Sequence, residues 1–279
     1  MFLQSVKRTW SARESTFCLV FIGDFHVGNP TCDKRLLKKH IAEIPDNALV
    51  FLMGDLAEYI DFKDKRFEAQ SVDPEFWSDL DRLHLAYTEY LESLLEPIRD
   101  RIVLFHDGNH EHKLAPTYQP GYELARRLDL LERYSGMEEA YTRVRFPHER
   151  GGKVRSIMVN THHGWQGGRM AGAKHNEMNK TLAWIAGDVV VRGHSHELFA
   201  EPAPVMVEPN RKMNGVIYRN RFTGHSGSYF QSRMVGSSNY AERSQYPPLP
   251  LGHIRFAIEL GETCTTGGTG YSIRPEVVM

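Results

Sequence analysis

The segment that decides the fold runs from Phe17 to His26 and has the sequence Phe-Cys-Leu-Val-Phe-Ile-Gly-Asp-Phe-His. Its first six residues are apolar, and a short run of this composition predicts a buried strand. Asp24 and His26 follow the run directly, after Gly23. Open α/β sheets place their ligand sites at the carboxyl ends of strands. The segment therefore predicts a strand that delivers an aspartate and a histidine into a site.

The same arrangement, an apolar run followed by potential metal ligands, recurs four more times along the chain. The runs and the segments that follow them are Ala48 to Met53 with Gly54-Asp55, Ile102 to Phe105 with Gly108-Asn109-His110-Glu111, Ile157 to Val159 with Thr161-His162-His163-Gly164, and Val189 to Val191 with Gly193-His194-Ser195-His196. One such residue is weak support for a site. Five strand ends that together supply aspartate, asparagine and histidine are hard to explain as chance.

Each segment taken alone has an ordinary structural explanation. Asp24 and Asp55 are both suited to capping a helix that follows them. Asn109 follows a glycine, and Gly-Asn is common in turns. His194 and His196 alternate on an extended segment, as surface histidines do. All of these explanations would have to hold at once to remove the site, so we expect a shared site.

The types of side chain in these segments indicate which ions they would bind. Carboxylate, amide oxygen and imidazole ligands suit manganese, iron, zinc and related divalent ions, and the lack of a cysteine cluster argues against structural zinc. A site with two ions roughly 3.5–4 Å apart can share a carboxylate and a hydroxide. Such a hydroxide would attack phosphorus while both ions neutralise the phosphate oxygens.

With these residues in place, the chain resembles the calcineurin-like metallophosphoesterase superfamily over residues 17–200. The complete set of motifs is highly specific, whereas a single piece such as Gly-Asn-His would be weak. The residues that carry the resemblance stand in the family's order and context: Asp24, His26, Asp55, Asn109, His110, His162, His194 and His196. The resemblance implies the family's α/β fold, a four-layer sandwich in which two mixed β-sheets pack face to face with flanking helices.

The resemblance also implies two metal ions. Their ligands would be, for the first ion, Asp24, His26 and His196, for the second ion, Asn109, His162 and His194, and, as a bridge between both, Asp55. His162 comes first after its strand and is the preferred ligand there, with His163 as the alternative. Manganese fits the family and this ligand set, and iron, zinc, nickel and cobalt are alternatives.

Two further residues receive catalytic roles from the same resemblance. His110 would face the substrate, stabilise the transition state and protonate the leaving oxygen, which suits an imidazole near neutral pH. Glu111 would orient His110 from behind. We expect in-line hydrolysis by a hydroxide that bridges the metal ions, without a covalent enzyme intermediate.

Composition and length predict one soluble domain. The chain has 279 residues, of which 41% are hydrophobic and 25% are charged, as in ordinary globular proteins. We expect a single domain over residues 1–279, with a core at about 17–208 and C-terminal strands and a lid-like loop at 209–279. No apolar stretch is long enough for a transmembrane helix or a secretory signal. Three cysteines without paired spacing fit a reducing compartment, so the expected location is the cytoplasm.

The charges are distributed unevenly along the chain. Acidic residues outnumber basic ones over residues 1–149, and the reverse holds over residues 150–279. A basic surface beside a phosphate-cleaving site would attract a polyanion, which makes DNA or RNA a candidate partner. A solvated surface with mild asymmetry is the alternative, because no basic run is dense enough to indicate nucleic-acid binding by itself.

Two segments are expected to shape the substrate pocket. Gly164 to Arg169 follows a ligand histidine, and Arg169 is suited to gripping a phosphate, with a flexible turn as the alternative. Thr223 to Gly252 is long enough to be a lid or specificity loop, and it contains His225 and Tyr229 as candidate substrate contacts. This tail resembles that of phage and prophage members of the superfamily. Trp165, Tyr229 and Tyr240 are aromatic residues that could stack on bases.

Three classes of function follow, in order of preference. The first is a phosphodiesterase, in particular a nuclease, and the basic C-terminal half and the phage-like tail favour it. The second is a phosphomonoesterase that acts on a phosphoprotein or a small metabolite. The third is a binding protein with an inactive site, which the intact ligand set and His110 disfavour.

The remaining secondary structure is predicted from periodicity and turn signals. A crossover helix is expected at Lys34–Glu43 and another helix at Gly121–Glu132. Asp73-Pro74 is a helix start, and apolar residues from Trp77 to Ile98 then recur at helical spacing, which predicts one long helix. The other expected elements are a hairpin around Gly151-Gly152, a helix ending at Trp184, and strands at Val205–Val207, Val216–Phe222, His253–Leu260 and Tyr271–Ile273.

Overall fold

The computed structural model describes residues 1–59, 71–112, 118–152, 154–164, 171–210, 213–234, 240–243, 245, 247–261 and 270–279. Within these ranges, twelve strands form two six-stranded sheets. The strands are β1 (Phe2–Lys7), β2 (Thr16–Ile22), β3 (Ala48–Leu52), β4 (Ile102–His106), β5 (Tyr134–Gly136), β6 (Ala140–Phe146), β7 (Arg155–His162), β8 (Val189–Arg192), β9 (Leu198–Pro209), β10 (Val216–Ser226), β11 (His253–Leu260) and β12 (Tyr271–Val278).

Both sheets are mixed. Sheet I has the order β12-β11-β2-β3-β4-β5, in which the last four strands run parallel and β11 and β12 are antiparallel to their neighbours. Sheet II has the order β1-β6-β7-β8-β10-β9, with β7, β8 and β10 parallel to one another. The carboxyl ends of β2, β3 and β4 therefore share one edge of sheet I, and those of β7 and β8 share one edge of sheet II.

Helices cover the outer face of each sheet. The α-helices of the described ranges are α1 (Lys34–Ala42), α2 (Leu83–Leu95), α3 (Asn109–His112), α4 (Pro120–Arg127), α5 (Ala171–Trp184) and α6 (Tyr240–Arg243). Side chains of α1, α2 and α4 pack on sheet I, and those of α5 pack on sheet II. A separate apolar core lies between the sheets. The order of layers is helix, sheet, sheet, helix, which confirms the expected α/β sandwich.

Strand β2 shows why the first apolar run had no polar positions. Its side chains alternate between the two cores, since successive residues of a strand point to opposite faces. Phe17, Leu19 and Phe21 enter the core between the sheets, and Cys18 and Val20 enter the core under the helices. A strand that is buried on both faces must be apolar throughout.

The prediction of one long helix from Trp77 to Ile98 was wrong. The segment forms a 3₁₀ helix at Pro74–Asp79, then α2, then a second 3₁₀ helix at Glu96–Arg101. Asp73 caps the first piece as predicted, through an Oδ1 bond from the N–H of Glu75. Trp77 is 56% exposed, so it lies outside the apolar face that the spacing suggested. Pro97 at the start of the last piece cannot donate an α-helical hydrogen bond.

Several other helices and strands have boundaries that differ from the predicted ones. The predicted helix at Gly121–Glu132 ends at Arg127, and β9, β10 and β12 are longer than expected. The hairpin around Gly151-Gly152 is confirmed, with β6 and β7 in antiparallel register. Strand β1 was not predicted, because half of its positions are exposed and carry no clear apolar run. Within the described ranges, no helix is both long and apolar enough to cross a membrane.

Candidate metal centre

The predicted ligands come together from five loops, one at the carboxyl end of each of five strands. β2, β3 and β4 of sheet I are followed by Asp24 and His26, by Asp55 and by Asn109 and His110, and β7 and β8 of sheet II are followed by His163 and by His194 and His196. The parallel strand order places these ends side by side, as the sequence predicted. Among the described residues, three groups of donor atoms each lie within 4.8 Å: Asp24, His26 and His196; Asp55, His163 and His194; and His26, Glu58 and His110. The first two groups consist of side chains from the predicted segments and are described here as the two clusters.

The backbone at this site is strained. Five of the predicted ligands have a positive φ: Asp24 at 49°, His26 at 53°, Asp55 at 49°, His194 at 64° and His196 at 59°. Residues with a side chain rarely adopt this left-handed conformation, and each instance costs on the order of 1–3 kcal/mol. Contacts in the surrounding fold offset this cost, so the positions of these side chains are tightly determined.

Two glycines allow the ligand loops to touch. A Cβ atom at Gly54 would lie 2.5 Å from the backbone nitrogen of Gly108, and one at Gly108 would lie 2.1 Å from Oδ1 of Asp55. Gly54 also has a φ of 89° and accepts a hydrogen bond from the N–H of Asp24 at 2.8 Å. Glycine at these positions therefore brings the loops after β2, β3 and β4 into direct backbone contact.

The first cluster consists of Asp24, His26 and His196. The Nε2 atoms of the two imidazoles face each other at 3.1 Å, and Nε2 of His196 lies 3.5 Å from Oδ1 of Asp24. That carboxylate oxygen is buried and has no hydrogen-bond partner among the described residues. Buried polar groups are normally paired. A cluster of three converging donor atoms, in which the carboxylate has an unpaired oxygen, therefore fits a bound cation.

The second cluster consists of Asp55, His163 and His194, with Asn109 beside them. Nε2 of His163 lies 3.4 Å from Oδ2 of Asp55 and 3.3 Å from Oδ1 of Asn109. Nδ1 of His194 is buried without a partner in the described part of the chain. Both clusters offer carboxylate and imidazole donors, and the second also has an amide oxygen beside it, which is the chemistry that suits divalent transition metals.

The sequence interpretation preferred His162 over His163 as the ligand. The structure instead places His163 in the second cluster. Nδ1 of His162 accepts the N–H of Gly164 at 2.9 Å, and the ring has a second hydrogen bond to the backbone of Met137. His162 lines a cavity of about 270 Å³ beside α5 and lies outside both clusters. Successive side chains of an extended segment point to opposite sides, so only one of the two histidines faces the centre.

His110 lies next to the clusters and is held by Glu58, a residue that the sequence analysis missed. The backbone N–H of His110 donates to Oδ1 of Asp55 at 2.8 Å, and its Nδ1 donates to the carbonyl of Glu58 at 2.7 Å. The carboxylate of Glu58 accepts a bond from Nδ1 of His26 at 3.0 Å. Glu58 thus orients both rings. It stands three residues after Asp55, a position that no motif marked.

Glu111 has a different role from the predicted one. Its carboxylate accepts the backbone N–H groups of Asp55, Leu56 and Gly108 at 3.0, 2.7 and 2.7 Å. It therefore ties the loop after β3 to the loop after β4 and does not bond to the His110 ring in the described contacts. Burial raises the pKa of Glu111 to about 8, with the charge of Asp55 adding to the shift. The three N–H donors oppose that shift, because they stabilise the carboxylate.

The electrostatics of the protein groups indicate a place for positive charge. Burial is the main cause that raises the pKa of Asp24 to about 7; the charge of His163 opposes the rise and the charge of Asp55 adds to it. Burial lowers the pKa of His26, but the hydrogen bond and charge of Glu58 outweigh it and bring the pKa to about 9. A metal ion would compete with the His26 proton, so metal binding should release protons.

The three candidate substrate contacts from the sequence are Arg169, His225 and Tyr229. Arg169 lies outside the described residues. His225 is buried, its Nδ1 bonds to Oγ of Ser195 at 2.6 Å, and it has a backbone hydrogen bond to Gly193. It therefore supports the loop that carries His194 and His196 instead of facing the substrate. Tyr229 is fully buried in the core under the helices, so it cannot stack on a base.

Comparisons with known proteins agree with this geometry. The chain matches the model of the calcineurin-like phosphoesterase family over residues 19–198. No curated protein matches it. Similar solved structures include Vacuolar Protein Sorting 29 from Cryptosporidium parvum, with 13% identity, a TM-score of 0.34 and coverage of 95% of this chain and 98% of that chain. Another is a metallophosphoesterase from Sphaerobacter thermophilus, with 12% identity, a TM-score of 0.38 and coverage of 94% and 89%.

The two structural likenesses have TM-scores too low to carry a functional argument. The family match does carry one, because it spans more than half of the chain and includes all the strand-end loops described above. The chain therefore belongs to the calcineurin-like phosphoesterase family and is a metal-dependent phosphoric ester hydrolase.

Proposed function

We propose that the protein is a phosphodiesterase that works with two divalent ions and acts on DNA or RNA. The charge of the donor set supports the preference for diesters. Two divalent ions bring four positive charges, and Asp24 and Asp55 in the two clusters neutralise two of them. The remaining charge matches one deprotonated water and the single negative charge of a diester. A monoester carries up to two negative charges, one more than the two ions alone would balance.

The ligand assignment follows the two clusters. Asp24, His26 and His196 would hold one ion, and Asn109, His163 and His194 would hold the other, with Asp55 as the shared carboxylate. Manganese suits this mixture of oxygen and imidazole donors. When bound, the two ions supply an activated water and neutralise the phosphate oxygens.

His110 is the proposed proton donor for the leaving oxygen. Its Nδ1 donates to the carbonyl of Glu58 at 2.7 Å, and Nε2 is the ring atom proposed to give its proton to the leaving oxygen. The carboxylate of Glu58 lies 3.7 Å from the same Nδ1 and stabilises the protonated ring. A positioned imidazole with a charged partner is suited to general acid catalysis near neutral pH.

One observation favours a small substrate, such as that of the alternative, a phosphomonoesterase. Many basic side chains of the C-terminal half are used inside the fold: Lys174 with Glu197, Arg192 with Glu139, Arg219 with Asp188, Arg255 with Glu276, and Arg221 with three backbone carbonyls. These charges are not free to follow a nucleic-acid backbone. The excess of basic residues in this half is thus weaker support for a polyanion than the sequence suggested.

The test compares hydrolysis of bis-p-nitrophenyl phosphate, p-nitrophenyl phosphate, single-stranded DNA and double-stranded DNA by the manganese-loaded protein. Asp55→Asn is the control, since it keeps the shape of the side chain and removes the bridging charge. We expect diester and DNA cleavage that the control lacks. Cleavage of the monoester alone would overturn the proposal. Cleavage of the small diester without DNA would restrict the substrate to small diesters.

A further inference from the structure

An aromatic side chain lies directly beside the first cluster. The ring centroid of Phe230 is 5.3 Å from that of His26 and 5.7 Å from that of His196. Phe230 is partly exposed, whereas its neighbour Tyr229 is fully buried. The ring therefore forms part of the wall of the cluster, on a residue that solvent partly reaches.

The segment that carries this ring is fixed to the loop after β2. It begins with Ser228 and ends with Gln231, and both its backbone and its side chains take part. The hydrogen bonds are Ser228 Oγ to Asp24 O at 2.8 Å, Tyr229 N to Asp24 O at 3.1 Å, Phe230 N to Ser228 Oγ at 3.0 Å, and Gln231 N to Thr31 O at 2.9 Å. The backbone that carries the ring of Phe230 is therefore held in place before any substrate arrives.

Tyr229 anchors the segment from the other side. Its hydroxyl is hydrogen bonded to Nδ1 of His40 at 3.0 Å and to Nδ1 of His253 at 2.9 Å. Its ring meets that of Phe25 edge to face, with centroids 5.7 Å apart. A group that is already ordered loses little entropy when it contacts a ligand, so a contact with Phe230 contributes more to affinity.

We infer that Phe230 is a specificity-determining residue whose ring packs against a planar group attached to the phosphate. This inference rests on the proposed function, because it concerns the substrate of the same site. The planar group is a nucleobase or an aryl ester, both of which present a flat face to an aromatic ring. Stacking of a base on an aromatic side chain typically corresponds to roughly 5- to 150-fold in affinity.

A purely structural role for Phe230 makes a different prediction. If the ring only shields His26 and His196, its removal should disturb the cluster and weaken every ligand equally. The variants Phe230→Leu and Phe230→Tyr separate the two roles. Leucine keeps an apolar side chain over the histidines and loses the flat face, and tyrosine keeps the flat face.

The experiment measures binding to the manganese-loaded protein by isothermal titration calorimetry. The ligands are phenylphosphonate and ethylphosphonate, which contain a P–C bond and are not hydrolysed. In Phe230→Leu, we expect phenylphosphonate to bind roughly 5- to 150-fold more weakly and ethylphosphonate to change less than about twofold. Phe230→Tyr should restore the binding of phenylphosphonate. Bound manganese, measured by mass spectrometry, should equal that of the wild type in both variants.

Equal loss of both phosphonates, or loss of manganese in Phe230→Leu, would overturn the inference. Equal affinities of the wild type for phenylphosphonate and ethylphosphonate would also overturn the inference. Binding of thymidine 5′-phosphate, measured in the same titrations, distinguishes a nucleobase from an aryl group. If the planar group is a nucleobase, Phe230→Leu should weaken this binding as well. None of these measurements requires diester cleavage, so a failure of the proposed function is seen separately, in the hydrolysis assay.

Discussion

The Nε2 atom of His163 lies 3.3 Å from Oδ1 of Asn109, while its Nδ1 donates to the carbonyl of Met53 at 2.7 Å. The bond to Met53 selects the tautomer that leaves Nε2 as a lone-pair donor. Metal-bound histidines are commonly fixed in this way by an outer partner. The relationship joins the ends of β3, β4 and β7, so one imidazole links the two sheets at the centre.

This geometry predicts that two adjacent histidines differ in their effect on manganese binding. His163→Ala should lower the affinity for one of two manganese ions by more than about 100-fold, since even changes behind a ligand cost about 10–100-fold. His162→Ala is the matched control and should keep both ions. The measurement is the manganese content after dialysis. Two ions retained in His163→Ala would contradict the assignment.

Replacement of Glu58 tests its support of two rings. Glu58→Gln removes the charge that faces His26 and His110, and we expect turnover to fall by about 10–100-fold. Glu92→Gln is the control, because Glu92 pairs with Arg127 away from the centre. Steady-state rates of both variants are compared at equal manganese occupancy. An unchanged rate in Glu58→Gln would show that the carboxylate is dispensable.

His110→Ala should separate metal binding from proton transfer. The side chain is outside the proposed ligand sets, so both ions should remain bound. Loss of a general acid should slow turnover by roughly 10²–10⁴-fold. Rates on a substrate with a good leaving group, such as a p-nitrophenyl ester, should fall less than rates on DNA. Equal losses on both substrates would argue against a role in protonating the leaving oxygen.

Stability should fall at acidic pH, and His253 should contribute. Burial lowers the pKa of His253 to about 3, whereas an unfolded histidine titrates near 6.5. The folded state therefore binds fewer protons between these values, so its stability is complete above about pH 6.5 and declines towards pH 3. The contribution is about 1.4 kcal/mol per pH unit. Urea unfolding of the wild type and His253→Asn at pH 7.5 and 5 should show a smaller decline in the variant. Equal declines would contradict the assignment.

The core between the sheets should dominate stability. Phe21 is fully buried, and its ring stacks on Phe51 with centroids 4.7 Å apart. Phe21→Ala should reduce the free energy of unfolding by about 3–5 kcal/mol. Leu3→Ala is the control, because Leu3 is 70% exposed and should change stability by less than about 0.5 kcal/mol. Denaturant titrations of both variants provide the comparison.

Local patterns were sufficient for the sheet interiors and for most of the side chains that the structure brings together at the centre. The apolar runs before Asp24, Asp55 and His194 are buried strands, because a strand packed on both faces has to be apolar. Periodicity was less reliable on the surface. It extended the helix through Trp77, whose side chain is exposed, since spacing alone does not reveal which face is packed.

The sequence by itself determined the five strands that precede the candidate ligands and the types of side chain that follow them, because these depend on composition and spacing along the chain. Only the tertiary structure decided which of His162 and His163 faces the centre, since that depends on how β7 is oriented against sheet I. It also brought Glu58 and Phe230 to the clusters and buried Tyr229 in the core. These contacts join segments far apart in the chain, and their geometry is set by packing between layers.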